Sequence, residues 1–222
     1  MTRILFVLGF LLVLPVADAR SQTPSAIYGD GDIFCRKMVE CVDSGNHPIT
    51  GTVVLSYQTP VFFKTEMAYV NGLKDGPSRC YYASGRLHSE TNYSRGQRQG
   101  LERLYYDNGL VHIERHYESD KLSGPFKRYY ESGRLHIAGQ YLDNKKVGRE
   151  QYYYESGSLH IEQVYGPDLK TQLKKYYYEN GGLHSEEPYQ DGRISGTKRI
   201  FDSKGRVAEE IVYLNGKEQS RK

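Results

Sequence analysis

The chain has no tryptophan, only three cysteines, and no long apolar run beyond Leu14. Just 38% of its residues are apolar even with tyrosine counted, and the mean hydropathy is −0.68. That argues against a thick aliphatic core. Charge of one sign is never clustered: 30 basic and 27 acidic residues are interspersed along the 222 positions. Nucleic-acid binding usually shows a clustered basic face, so this pattern argues against it. No G-x-S-x-G, H-E-x-x-H, phosphate loop or Cys/His nucleophile signature occurs. The sequence therefore predicts no enzyme, no cofactor and no metal site.

The one apolar run is at the start, in MTRILFVLGFLLVLPVADA. Ile4 to Leu14 is too short for a membrane span of about 20 residues. Arg3 precedes it and Ala17-Asp18-Ala19 follows as an A-x-A step, the pattern of a secretory signal peptide cleaved after Ala19. An uncleaved N-terminal anchor is the alternative. No cysteine follows at lipoprotein spacing, so no lipid anchor is expected. The mature chain is expected in the periplasm or outside the cell, where disulfides can persist. Cys35 and Cys41 lie close together in residues 20–48 and form the candidate disulfide. Pairing of either with Cys80 stays open, because connectivity cannot be read from sequence.

What the chain has in excess is tyrosine, 21 residues, and glycine, 23, and both recur at a period of 24. Six units begin at Pro77, Leu101, Pro125, Arg149, Leu173 and Thr197, and run without gaps to Ser220. Their ninth residue is always glycine, as at Gly133, and their seventeenth always tyrosine, as at Tyr141. A divergent unit, 53–76, precedes them; it keeps Glu66, Tyr69, Gly72 and Gly76 but has Val61 at the glycine position. About seven units thus cover 49–220 (53–76, 77–100, 101–124, 125–148, 149–172, 173–196 and 197–220), and fixed spacing of this kind means a repeat architecture.

Each unit reads as a β-hairpin. Tyrosine-rich runs favour strands, and Glu131-Ser132-Gly133 suits a three-residue loop closed by a glycine at positive φ. Tyr130 would then pair with Arg134, Tyr129 with Leu135 and Arg128 with His136. The turns around Gly96, Gly192 and Gly216 are expected to work the same way. Side-chain parity would be kept throughout. One face would carry Tyr129, Leu135, Ile137 and Tyr141 and be packed. The other would carry Tyr130, Arg134, His136 and glutamates such as Glu114, Glu162 and Glu186. The fold class is all-β: tandem hairpins in one elongated, twisted antiparallel meander. About fourteen strands at about 4.8 Å would make it on the order of 65 Å long. The last unit, with Asp202 and Ala208 in place of tyrosine and histidine, reads as a cap; a bend is expected at Gly166-Pro167-Asp168.

His88, His112, His136, His160 and His184 share one repeat position. Equivalent residues of successive hairpins lie about 10 Å apart, whereas zinc holds its ligands at about 2.0–2.3 Å. The ladder therefore reads as histidine packed beside tyrosine, with anion or partner recognition on protonation as the functional alternative. The repeated glutamates read as cross-strand partners of Arg and Lys. Asn92-Tyr93-Ser94 matches a glycosylation sequon within a strand and reads as a chance match. The candidate partner-binding face is Tyr82, Arg86, His88, Tyr106, His112, Tyr130, Arg134, His136, Tyr154, His160, Tyr178 and His184, since tyrosine and arginine are favoured at interfaces.

The pattern YYxxGxLxxExxYxxGxxxG, from Tyr81 to Gly100 and again from Tyr177 to Gly196, resembles the MORN-variant repeat. The array resembles the bacterial YwqK-type antitoxin component family of toxin–antitoxin systems, and PITGTVV, from Pro48 to Val54, resembles that family's lead-in to its first repeat. The resemblance implies tandem hairpins and neutralisation of a partner toxin by direct binding; it carries no catalytic residues. MORN repeats elsewhere are associated with membrane or scaffold roles. A signal peptide departs from a cytosolic antitoxin. The expectation is an exported, antitoxin- or immunity-like binder of a protein partner; the alternative is an envelope scaffold binding lipid headgroups or cell-wall glycan.

Overall fold

The computed structural model describes the backbone of residues 33–36, 40–43, 46–56, 62–166 and 170–222. The signal peptide and the bend expected at Pro167-Asp168 lie outside the described residues. Among the described residues eighteen strands follow one another: β1 (Ile33–Arg36), β2 (Glu40–Asp43), β3 (Gly51–Ser56), β4 (Phe62–Val70), β5 (Leu73–Tyr82), β6 (Leu87–Ser94), β7 (Gln97–Tyr105), β8 (Val111–Glu118), β9 (Lys121–Tyr129), β10 (Leu135–Leu142), β11 (Lys145–Tyr153), β12 (Leu159–Tyr165), β13 (Thr171–Tyr177), β14 (Leu183–Gln190), β15 (Arg193–Ile194), β16 (Gly196–Phe201), β17 (Val207–Leu214) and β18 (Lys217–Arg221). The expected all-β class and its tandem-hairpin construction are what the structure shows.

The chain divides into two compact units, one of Met1–Val111 with Tyr117–Asp120 and one of His112–His116 with Lys121–Lys222. In the first, β3 to β7 pair antiparallel in sequence order, and β1 and β2 form a hairpin in which Cys35 stands opposite Cys41. The side chains of those cysteines lie outside the described residues. Cys80 is a half-buried free cysteine. In the second unit β9 to β14 pair in order, and β16, β17 and β18 continue the meander, with β15 beside β14.

The first turn of each of the six regular units forms as the sequence predicts; that of the divergent unit lies outside the described residues. Tyr130 N donates 2.8 Å to the Arg134 carbonyl, and Gly133 N donates 2.9 Å to the Tyr130 carbonyl. Gly133 sits at φ 84°, a conformation that costs glycine nothing. The second turn differs from expectation. It is a two-residue loop with both residues at positive φ, as in Asn71 (50°) and Gly72 (80°), Asp143 (49°) and Asn144 (66°), or Asp191 (49°) and Gly192 (77°). This is the type I′ geometry, whose twist matches that of the flanking strands.

A larger correction concerns parity. Leu135 faces Tyr129 as expected, but Arg128 faces Ile137, and His136 is the extra residue of a β-bulge. The same slip falls at His88, His160 and His184, and at Ala208 in the last unit. Directly opposed residues share a face, and one inserted residue moves everything beyond it to the other side. Ile137 and Tyr141 therefore lie with Arg128, whereas Tyr129 and Leu135 share a face with the glutamates of the fourteenth position. The packed face is the first of these. It holds the buried Met67, Tyr69, Tyr117, Ser185 and Ile211.

With few aliphatic residues, that face buries charge as well. Glu150 accepts 3.0 Å from the Tyr165 hydroxyl and 2.7 Å from Lys146 Nζ, and its side chain is 5% exposed. Arg98 lies 4.0 Å over the Tyr117 ring and 2.9 Å from Asp120. Lys174 lies 4.5 Å over Tyr189. On the opposite face the glutamates are paired as the spacing predicts: Glu90 with Arg79 (2.7 Å), Glu186 with Lys175 (3.0 Å) and Glu210 with Arg199 (2.9 Å).

Candidate functional site

The candidate residues gather at the hairpin tips, around the three-residue loops. The bulge explains their arrangement: the extra residue is turned back toward the loop, against the tyrosine that opens it. Tyr130 and His136 stack with ring centroids 4.2 Å apart, as do Tyr154 and His160. Tyr82 meets His88 edge-on at 4.8 Å, and Tyr178 meets His184 likewise at 4.8 Å. Tyr106 opens its loop with the same backbone bond, 2.8 Å to Leu110 O. His112 occupies the same repeat position in β8.

These tyrosines and arginines join each tip to the next. Tyr82 Oη donates 2.6 Å to the Tyr105 carbonyl, Tyr130 Oη 2.8 Å to Tyr153 O, and Tyr154 Oη 2.9 Å to Tyr177 O. Arg86 Nη1 donates 2.6 Å to Asp107 O, and Arg134 Nη1 2.7 Å to Glu155 O. The Tyr82, Tyr130 and Tyr154 hydroxyls and the Arg86 and Arg134 guanidinium groups, proposed from sequence as part of a docking face, thus already make inter-repeat bonds. What the tips offer outward is the ring faces, the remaining guanidinium N–H groups and the loops.

Burial sets the protonation behaviour. It pushes the His88 imidazole below the usual histidine range. His136 is lowered by burial and then by the Arg128 charge. Both are neutral at pH 7, so a positively charged ladder is disfavoured at these two rungs. Tyr81 is pushed up to about 12 by burial and by its hydrogen bond to Glu66. Burial opposes ionisation of Glu66, but hydrogen bonds from Lys64 and Tyr81 outweigh it and hold that carboxyl low.

One feature of the tips is absent from the sequence-based face. The first of the three loop residues, next to the tyrosine that opens the loop, is acidic in four consecutive units: Asp107 in the first compact unit and Glu131, Glu155 and Glu179 in the second, all exposed. Within the second unit they recur every two strands, about 10 Å apart. The sequence signal for this row is the acidic residue at the seventh repeat position of these four units. Among the described residues no group of three His, Cys, Asp or Glu could hold a metal ion.

Three segments of the chain, 74–95, 146–165 and 173–191, match the MORN repeat variant. They begin in β5, β11 and β13 and run through the three-residue loop into the next strand, so the matched unit is the hairpin described above. These three hairpins are therefore similar to the MORN-variant repeat. No curated protein matches the chain.

Proposed function

We propose that this chain is a non-enzymatic, exported protein-binding array that docks a partner across its hairpin tips, in the manner of an antitoxin or immunity protein. The carrying observation is the row of exposed carboxylates Glu131, Glu155 and Glu179, set at the repeat interval beside stacked Tyr–His pairs. Charges at a fixed interval steer and register an extended partner of opposite sign. A basic protein surface fits this row. Anionic lipid headgroups do not, since the tips would repel them. The absence of catalysis belongs to the same proposal. Of the fourteenth-position glutamates, Glu90, Glu162, Glu186 and Glu210 are engaged with Arg or Lys, and a symmetric array repeats one residue in one role where a catalytic site needs several.

The test is capture by the tagged chain, expressed with its own leader, from its native cell envelope, followed by mass spectrometry. A single stoichiometric basic protein, lost when Glu131, Glu155 and Glu179 are changed together to glutamine, is the expected result. Recovery of lipid or wall glycan alone, with the triple variant behaving as wild type, would reject it in favour of an envelope scaffold.

A further inference from the structure

At one tip of the second compact unit the repeat is missing two of its own parts. The tenth residue of a unit is arginine at Arg86 and Arg134, and each reaches the first loop carbonyl of the next hairpin. In the unit beginning at Leu173 that residue is Gly182. The loop-opening tyrosine also differs. Tyr82, Tyr130 and Tyr154 donate to the next hairpin, but among the described residues Tyr178 makes no such bond and is 41% exposed. An open groove of about 500 Å³ lies in their place, lined by Tyr178, Gly182, Leu183, Asp202 and Ser203 among others. By repeat position, the Ser203 carbonyl corresponds to the Asp107 and Glu155 carbonyls that accept from arginine. The unit beginning at Arg149 has Ser158 at the tenth position, but there Tyr154 keeps its bond and Ser156 and Ser158 bond one another at 3.0 Å.

We propose that this groove takes an arginine side chain presented by the protein partner, in the position that Arg86 and Arg134 hold in their own repeats. The chemistry of the walls fits that occupant. The exposed Tyr178 ring offers a face for a planar guanidinium. Leu183 receives the apolar stem. The Ser203 carbonyl accepts the N–H, and Glu179 lies at the rim with Asp202, whose carboxylate is already shared with Arg206 at 2.8 Å. Lysine, a point charge without a planar fork, satisfies the position less well. The inference rests on the protein-binding function proposed above and assigns its most specific contact.

The test is a titration of the chain, purified from cells expressing the full-length sequence, with N-acetyl-arginine amide and N-acetyl-lysine amide, followed by backbone-amide NMR. The expected result is saturable shifts at Gly182, Ser203 and Gly205 with arginine, of order millimolar for so small a ligand, and roughly fivefold weaker binding of lysine. Gly182→Arg should fill the groove from within and abolish the shifts. Gly182 is not at positive φ, and a Cβ there meets only the Asn180 side-chain oxygen at 3.2 Å and Tyr178 Cδ2 at 3.8 Å, so the variant is expected to fold. Tyr178→Ser, at an exposed side chain, is the second variant and should weaken binding. Absence of saturable shifts, equal binding of lysine, or undiminished binding by both variants would overturn the proposal. The two proposals fail separately. A partner captured equally by wild type and Gly182→Arg sinks the groove and leaves the docking function. A positive titration with no captured protein does the reverse.

Discussion

The hydroxyl of Tyr130 donates 2.8 Å to the main-chain carbonyl of Tyr153, 23 residues further along the chain. Tyr130→Phe keeps the ring on His136 and removes only this bond. A net loss of about 1 kcal/mol is expected, seen as a fall in Tm of about 3 °C. Tyr82→Phe and Tyr154→Phe should behave alike. Tyr178→Phe should change nothing measurable, because Tyr178 makes no such bond. Equal losses at all four positions would mean that the effect does not come from the bond to the next hairpin.

Glu150→Gln removes the carboxylate that neutralises Lys146 and accepts from Tyr165. About 2 kcal/mol of stability should be lost in urea unfolding, since a half-buried ammonium is left without its counter-charge. The Tyr165 phenol is held above its ordinary range by burial and then by the Glu150 charge. Spectrophotometric titration of the variant should therefore show one tyrosine ionising at lower pH than in wild type.

Two half-buried histidines set an acid limit. Burial holds the folded pKa values of His88 and His136 below the ordinary histidine value of about 6.5. The unfolded chain therefore binds protons first as pH falls below that value. Their contribution to stability is full above it and is lost as pH falls through the folded values. Unfolding free energy should decline as pH falls below about 6.5. His88→Phe with His136→Phe should flatten the decline, by removing the titration while keeping an aromatic ring against tyrosine.

Two glycines make a contrast. Gly196 sits at φ 115°, and a Cβ there would come 2.9 Å from Pro188 Cγ. Gly196→Ala should cost roughly 1–3 kcal/mol. Gly139 has no such φ, and its Cβ would meet Glu150 Cγ at an ordinary 3.5 Å. Gly139→Ala should cost less than about 0.5 kcal/mol or be mildly stabilising. Paired thermal melts of the two variants decide it.

Much of this architecture was legible because a hairpin repeat writes its period twice, in loop glycines and in strand tyrosines. The register of Tyr129 with Leu135 follows from the Glu131-Ser132-Gly133 loop alone. The slip at His136 does not. Strand parity is counted by twos, and histidine carries no signal that it is the inserted residue; only its stacking on Tyr130 reveals why the insertion is tolerated. The type I′ turns were hidden where Ser119-Asp120 and Asp143-Asn144 lack the glycine that usually marks them. At the tips, tyrosine and arginine looked free to bind because a single unit does not show the carbonyl of its neighbour.

The tyrosine and arginine bonds between tips all end on main-chain carbonyls, at Tyr105, Asp107, Tyr153, Glu155 and Tyr177. A main-chain acceptor is present whatever residue occupies the position. A unit duplicated or deleted in the gene therefore meets a compatible neighbour at once, with no matching change on the other side of the joint. Loop residues are released from the joint in the same way and can change with the partner, unit by unit, while the array that carries them stays intact.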